Sequence, residues 1–314
     1  MTECTRPHGC NGCTHPPHPH GCTHPHGCTH PRRSRTLSFA SRVLNSSILA
    51  LVSLIGISAF LYPFFQPQAP SAAAPGGSAH AQDALLLFII LIALSLGAVL
   101  SNMVGSGRGL NAKMVATLGV LTAANAILRA VPGPAGFSAV FVLPILAGYC
   151  YGPTFGYLLG ALSIAVSAMI GAGIGPWLPY QMFTIGWVGL TSGWLAAIRR
   201  IPFVRYHSRV EIAILALWGS LWGMVFGIIM NIWFWPFVFS PAQSMRMGTS
   251  GLYWQHGMAP LEILKRYTAF YLVTSSWWDA ARAIGNALLI VFLGLPVLRL
   301  LRRFGRRFTF ELRD

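Results

Sequence analysis

The chain has 314 residues, of which 54% are hydrophobic and only 9% are charged. That charged fraction is far below the roughly 25% of soluble globular domains, so an ordinary soluble fold is excluded. The formal net charge of +15 does not indicate nucleic-acid binding, because the Lys and Arg residues cluster at the ends of apolar segments, which is the positive-inside pattern of membrane proteins.

Residues 1–31 form a low-complexity tail in which the unit His-Gly-Cys-Thr-His-Pro occurs at 20–25 and again at 26–31. Its density of Pro and Gly favours disorder in isolation. His and Cys side chains bind zinc, nickel, cobalt and copper, so the tail predicts a divalent-metal site. A repeat expansion with adventitious metal affinity is the alternative. The candidate ligands are Cys10, Cys13, His20, Cys22, His24, His26, Cys28 and His30.

A group of Arg residues precedes the apolar run 46–65, which predicts the first membrane helix. A cleaved secretory signal is the alternative, because Ala79-His80-Ala81 resembles a cleavage site. Cleavage normally follows the apolar core closely, and this site lies well beyond it. We therefore expect an uncleaved helix.

Uncharged runs of about 20 residues, the length that crosses a bilayer, recur along the chain. The sequence predicts an all-α, polytopic membrane bundle of about eight spans. The predicted spans are residues 46–65, 84–103, 114–131, 137–152, 154–171, 180–198, 210–232 and 279–299. Most of the 22 Lys and Arg residues lie on the side that holds both termini, which places the termini in the cytoplasm.

Small residues recur every four positions in several spans, which is typical of close helix packing in membranes. The stripes are Gly156, Gly160, Ser163, Ser167 and Gly171; Gly189, Gly193 and Ala197; and Gly219, Gly223, Gly227 and Asn231. A further stripe opens the third span, where internal packing and docking of a partner helix are both open. Its residues are Ala112, Ala116, Gly119 and Ala123.

Residues 171–181 must interrupt the helices, because they contain three alternating glycines and two prolines. The same segment carries Trp177, Tyr180 and Gln181, which can stack on a ligand and form hydrogen bonds with it. We therefore predict that it closes a binding pocket at one membrane face.

Residues 233–278 form a long outer segment rich in Trp and Tyr, most of which an interfacial aromatic belt explains. Within it, 261–274 predicts an interfacial helix with Glu262 four residues before Arg266. Ionisable groups inside a membrane usually face the bundle interior and pair, as we expect of Asp279 and Arg282. The predicted substrate-binding residues are Asn125, Arg129, Trp177, Tyr180, Gln181, Asn231, Asp279, Arg282 and Asn286.

Catalytic motifs do not support an enzyme. The chain lacks the Gly-x-x-x-x-Gly-Lys-Ser/Thr loop that binds ATP phosphates, so it is not expected to bind and hydrolyse ATP itself. Gly248-Thr249-Ser250-Gly251 with His256 resembles an intramembrane serine protease only superficially, because no apolar helix carries the histidine.

From about Asn111 to Arg303 the chain resembles the substrate-binding S components of energy-coupling factor (ECF) vitamin transporters. The specific match is Gly175-Pro-Trp-Leu-Pro-Tyr-Gln-Met182 followed by Gly186-Trp-Val-Gly189, with Gly152-Pro153 and the stripe at Ala112 and Ala116 in support.

The resemblance implies a six-helix core that captures a vitamin or related micronutrient, a flat heterocycle or a corrinoid, on the outer side. It also implies that Ala112 and Ala116 dock on a transmembrane coupling subunit, and that two cytoplasmic ATPases drive uptake. The predicted division is a His/Cys tail at 1–36, two additional helices at 37–110, the core at 111–303 and a basic tail at 304–314.

Two other functions stay open at this point. A metal permease, or a metal-regulated transporter, would use the His/Cys tail to collect Ni²⁺, Co²⁺ or Zn²⁺. Such a path needs soft ligands within the spans, where only Cys150 is found, so the organic substrate is favoured. A structural membrane protein without a ligand would lack a polar pocket around Trp177, Gln181 and Arg129.

Overall fold

The computed structural model describes residues 35–65, 81–104, 112–130, 133, 137–238 and 251–308. Within these ranges the chain is helical and contains no β-strand, so the prediction of an all-α fold is confirmed. The helices are α1 (Arg35–Leu61), α2 (Ala81–Val104), α3 (Ala112–Ala130), α4 (Val142–Tyr151), α5 (Pro153–Ser167), α6 (Leu178–Leu195), α7 (Pro202–Tyr206), α8 (Ser208–Val238), α9 (Pro260–Thr274) and α10 (Ser276–Phe308).

Each predicted span overlaps one of these helices. Four segments of the described chain are long and apolar enough to cross a bilayer: Val43–Phe65, Pro153–Gly171, Ser208–Pro236 and Ser276–Gly305. Ala84–Val99 and Ala139–Tyr151 are apolar but shorter. This confirms a multi-pass membrane bundle.

Glycines in the left-handed region end two of the helices. Gly152 has φ 101°, which stops α4 and lets Pro153 open α5 in its first turn. Gly171 (φ 122°) and Gly173 (φ 90°) end the π-helical turn that follows α5, and Pro179 then lies in the first turn of α6. L-residues other than Gly rarely adopt such φ values, so the sequence places these breaks unambiguously.

The centre of the bundle is the pair α5 and α6, which contact each other through backbone. A Cβ atom on Gly189 would collide with the carbonyl of Gly156, and one on Gly160 would collide with the carbonyl of Ile185. Small residues allow this approach, which supplies packing energy where burial from water offers none. The stripe containing Gly156 and Gly160 is thus confirmed as a packing surface.

The remaining helices surround this pair. α3 contacts α5, α4 contacts α5 and α6, and α8 contacts α10 along most of its length. Gly223 of α8 lies against the backbone of Ala283 in α10. α1 contacts α2, α6 and α8, and α2 contacts α5 and α6. The two N-terminal helices therefore pack on the bundle itself.

The helix predicted at residues 261–274 is present as α9, with Arg266 donating to Glu262 at 2.6 Å. This hydrogen bond raises the pKa of the Arg266 guanidinium, which also lies 4.7 Å from the ring centroid of Tyr253. Tyr267 of α9 donates its hydroxyl to the carbonyl of Ile228 in α8. This hydrogen bond holds α9 against one end of the α8–α10 pair.

The two ends of the α8–α10 pair each contain an acidic side chain. At the end where α8 begins and α10 finishes, Glu211 accepts hydrogen bonds from Tyr149 at 2.7 Å and from Arg302. At the opposite end, Asp279 pairs with Arg282, as predicted. We refer to these as the Glu211 end and the Asp279 end.

Candidate functional site

A cavity of about 310 Å³ lies at the Asp279 end, where α6 begins, α8 finishes and α10 begins. Its lining combines five large aromatic rings with amide, hydroxyl, carboxylate and guanidinium groups. The lining residues are Trp177, Gln181, Phe226, Gly227, Met230, Asn231, Trp233, Phe234, Ser275, Trp278, Asp279 and Arg282. This mixture of mostly apolar walls with a few polar groups is typical of small-molecule sites.

Indole rings lie at two depths in this cavity. Trp177 and Trp278 are 39% and 52% exposed and lie at its mouth, whereas Trp233 is 6% exposed and lies in the wall. Trp233 stacks on Phe234 with ring centroids 5.9 Å apart. Flat aromatic faces at the mouth and in the wall suit a ligand that is itself a flat ring.

Asp279 and Arg282 form the charged part of the lining. One Asp279 oxygen, Oδ1, accepts from Arg282, whose guanidinium also donates to the Gly223 carbonyl at 3.3 Å and lies 4.9 Å from the Phe226 ring centroid. The other oxygen, Oδ2, is buried and accepts no hydrogen bond of normal geometry from the described residues, and the Tyr271 hydroxyl of α9 lies close enough to interact with the carboxylate.

Asp279 fits this position because Gly227 of α8 leaves room for it. A Cβ atom on Gly227 would occupy the space of the Asp279 carboxylate. Gly227, the third glycine of its stripe, therefore makes room for a functional group as well as for helix packing.

Arg129 of α3 lies outside the cavity lining and positions Gln181, one of the lining residues. Its guanidinium donates to Gln181 Oε1 at 2.6 Å and to Ser167 Oγ at 2.7 Å. Gln181 lines the cavity, and Ser167 is the last residue of α5. Arg129 thus orients Gln181 and links α3, α5 and α6, but it does not itself line the cavity.

Asn231 also lines the cavity, and its Oδ1 accepts from Ser275 Oγ at 3.1 Å. Ser275 connects α9 to α10, so this bond fixes the junction of those two helices against α8. Five of the predicted binding residues therefore share one cavity: Trp177, Gln181, Asn231, Asp279 and Arg282.

The other four of the nine predicted binding residues, Arg129 among them, do not line this cavity. Asn125 is buried and donates its amide to the Val140 carbonyl, and Asn286 is buried and donates to the Gly219 carbonyl. Tyr180 is buried between Phe60 and Trp233. An isolated sequence cannot distinguish an amide that binds backbone from one that faces a ligand, because both lie near a helix end.

Sequence reasoning places Trp233 and Trp278 in an aromatic belt and predicts no role for Phe226, Met230 or Ser275. Two signals could have identified part of this set. Trp278 directly precedes Asp279, and Phe226 and Met230 flank the small-residue stripe of α8 at Gly227.

The predicted docking stripe on α3 lies largely at the surface. Ala116, Gly119 and Ala123 are exposed, and a Cβ on Gly119 would meet no described atom within 4 Å. The side chain of Ala112 is outside the described set, although its backbone opens α3. The opposite face of the helix, with Leu118 and Asn125, is buried.

The predicted metal ligands, from Cys10 to His30, lie outside the described residues. Within the ranges that the structure does describe, no group of three or more His, Cys, Asp or Glu side chains could hold a metal ion.

A family model described as the ECF transporter, substrate-specific component, matches residues 113–294, which is more than half of the chain. No curated protein and no solved structure matches this chain. The matched segment runs from the first turn of α3 into α10, so it contains all of the residues that line the cavity. This chain therefore belongs to the ECF transporter substrate-specific components, the membrane subunits that bind the substrate and associate with an energy-coupling module.

Proposed function

We propose that this subunit captures a vitamin or a related micronutrient in the cavity at the Asp279 end and presents it for ATP-driven uptake by partner subunits. The observation that carries the proposal is the composition of that cavity, in which aromatic rings surround Gln181, Asn231, Asp279 and Arg282. Such a lining binds a flat ring by stacking and orients it by a small number of hydrogen bonds.

The size of the cavity limits which substrates can fit. Small-molecule pockets range from about 300 to 1,000 Å³, and the value of about 310 Å³ lies at the bottom of that range. This favours a heterocycle of one or two rings over a corrinoid, whose macrocycle needs far more room.

The distribution of charge supports an outward-facing site. Basic residues gather at the Glu211 end, including Arg199, Arg200, Arg209 and Arg303. Positive residues remain on the cytoplasmic side of membrane proteins, so we assign the Glu211 end to the cytoplasm and the Asp279 end to the outside. Both termini are then cytoplasmic.

The energy source lies outside this chain in our proposal. A transmembrane coupling subunit would dock on the exposed α3 face at Ala116, Gly119 and Ala123, with Ala112 continuing that face, and two cytoplasmic ATPases would hydrolyse ATP. Small exposed residues on a membrane helix support this assignment, because they allow a partner helix to approach closely. A divalent metal on the His/Cys tail stays a prediction, and we assign no other cofactor to the chain.

The test is purification from the native membrane, followed by mass spectrometry of the small molecules and proteins that co-purify. We expect one heterocyclic micronutrient in stoichiometric amount, together with a membrane partner and an ATPase pair. Stoichiometric metal without an organic compound would favour the metal permease and overturn the proposal.

A further inference from the structure

The N-terminal helix α1 and the 3-10 turn Tyr62–Phe65 that follows it lie outside the segment matched by the family model, yet an aromatic side chain of each packs against the bundle. Phe60 of α1 is 4% exposed, and Phe64 of the turn is partly buried in a separate aromatic cluster. An added membrane anchor would need only lipid-facing side chains, so these packed rings require another explanation.

Phe60 connects to the cavity wall through one intermediate ring. Its ring meets Tyr180 edge-to-face, with centroids 5.0 Å apart at 73°, and Tyr180 lies 5.3 Å from Trp233. Trp233 lines the cavity, as does Gln181, the residue after Tyr180. Edge-to-face rings in a close-packed interior leave little freedom to move, so Phe60 fixes Tyr180, which in turn fixes Trp233.

The depth of α1 in the bundle is fixed by contacts one and two turns before Phe60. Gly56 lies directly against the rings of Phe183 and Trp187, and a Cβ there would collide with both. The indole of Trp187 donates to Ser53 Oγ at 3.1 Å. Residues 53, 56 and 60 share one helix face, so this contact sets the register that brings Phe60 to Tyr180.

Phe64 packs on an aromatic cluster at the end of α8. Its ring lies 5.4 Å from Trp254 and 6.2 Å from Trp235. Trp235 donates its indole N–H to the Leu252 carbonyl at 2.7 Å and contacts Tyr267 of α9 edge-to-face at 5.2 Å. Phe64 therefore belongs to a cluster that joins the end of α8, which also carries the lining residues Trp233 and Phe234, to the turn before α9 and to α9 itself.

We propose that α1 and the turn after it support the substrate site from outside the cavity, with Phe60 and Phe64 as positioning residues that act through Tyr180–Trp233 and Trp235–Trp254. The substrate part of this inference rests on the proposed function. Neither phenylalanine lines the cavity: Phe60 acts through Tyr180 on Trp233, and Phe64 acts by fixing the end of α8 that carries Trp233 and Phe234.

The first test follows Trp233 directly, without any ligand. The full chain is labelled with 5-fluorotryptophan in nanodiscs, and the Trp233 signal is assigned by its loss in Trp233→Phe. Phe60→Ala is expected to shift or broaden this signal, and Phe60→Leu, which keeps most of the volume, is expected to give a smaller change. The control Leu54→Ala, on the lipid-facing side of α1 and 62% exposed, is expected to leave it unchanged.

An unshifted Trp233 signal in both Phe60 variants, or an equal shift in Leu54→Ala, would overturn the inference. Phe60→Leu keeps the test decisive if the alanine variant folds poorly.

The second test measures how much of the compound that co-purifies with the wild-type protein each variant retains. We expect several-fold lower occupancy in Phe60→Ala and Phe64→Ala at equal monodisperse yield, and wild-type occupancy in Leu54→Ala. Wild-type occupancy in both phenylalanine variants would reject the inference and leave the proposed function intact. If no organic compound co-purifies with the wild type, the proposed function fails, and the Trp233 signal alone decides the role of α1.

Discussion

The α8–α10 pair ends in two acidic clusters that differ in how many segments of the chain meet at the carboxylate. Glu211 accepts from Tyr149 and Arg302, and Arg199 lies 3.9 Å away, so α4, α8, α10 and the turn after α6 meet at one buried carboxylate. Asp279 pairs with Arg282 of its own helix, which in turn donates to the Gly223 carbonyl of α8.

Asp279 and Arg302 are roughly 35 Å apart along α10, about the thickness of a membrane. Such a separation places the two clusters near opposite faces of the bilayer, and the cavity lies at the end where fewer segments meet at the carboxylate. We infer that the Glu211 cluster holds the helices together, whereas the Asp279 cluster is kept for a ligand. The predictions below are ordered from the largest expected loss of folding stability to the smallest.

Replacing Glu211 by Leu is expected to give the largest loss of stability, about 3 kcal/mol, because it leaves Arg302, whose side chain is 27% exposed, without its partner and removes the acceptor of Tyr149. Reversible unfolding in mixed detergent micelles measures this. In the double variant with Arg302→Leu most of the loss should disappear, because an apolar pair of similar volume often replaces a buried ion pair at little cost. A single variant as stable as the wild type would contradict a structural role for Glu211.

Tyr149→Phe tests the same cluster more gently. It removes the 2.7 Å hydrogen bond to Glu211 and leaves the ring in place, so we expect a loss of about 1.5–3 kcal/mol, the value of a hydrogen bond to a charged group. The same unfolding assay applies. Substrate retention should be unchanged, because Tyr149 lies at the end opposite the cavity. A clear loss of retention in a folded variant would show that the two ends are coupled.

Asp279→Asn tests the end that contains the cavity. The amide keeps an oxygen for Arg282 but leaves that guanidinium, whose side chain is 19% exposed, without a countercharge, so we expect a loss of stability of about 1–3 kcal/mol. Affinity for the co-purified compound should fall about tenfold, which corresponds to about 1.4 kcal/mol. Equilibrium dialysis of the radiolabelled compound measures the affinity, and wild-type affinity would remove Asp279 from the site.

Much of the fold was predictable from sequence because the membrane restricts the choices. Apolar run length set the spans, and Gly152, Gly171 and Gly173 set the breaks, since few other residues accept their φ values. The Asp279–Arg282 and Glu262–Arg266 pairs were predicted from one-turn spacing and are confirmed. These features depend on local chain geometry alone.

The cavity was only half predictable, because its lining depends on how helices rotate against one another. Asn125 and Asn231 look alike in sequence, but α3 turns the first to the Val140 carbonyl and α8 turns the second to the cavity. Trp233 looked like a belt residue until the packing of Phe60 and Tyr180 placed it in the wall. Contacts between distant segments, such as that of α1 with α6, leave no periodic signal in a single sequence.

Glu262→Gln is expected to cause the smallest loss of stability, and it serves as the exposed reference for the Glu211 cluster. It breaks the Glu262–Arg266 pair of α9, whose side chains are 45% and 21% exposed, so we expect a loss of at most about 1 kcal/mol. At 1 M salt the Debye length falls to about 3 Å, and this loss should vanish, whereas most of the loss in Glu211→Leu should persist because Glu211 is only 5% exposed. Parallel unfolding curves at low and high salt check both. Equal salt sensitivity of the two variants would mean that the Glu211 cluster is solvated, and the distinction between a structural end and a binding end would then lose its physical basis.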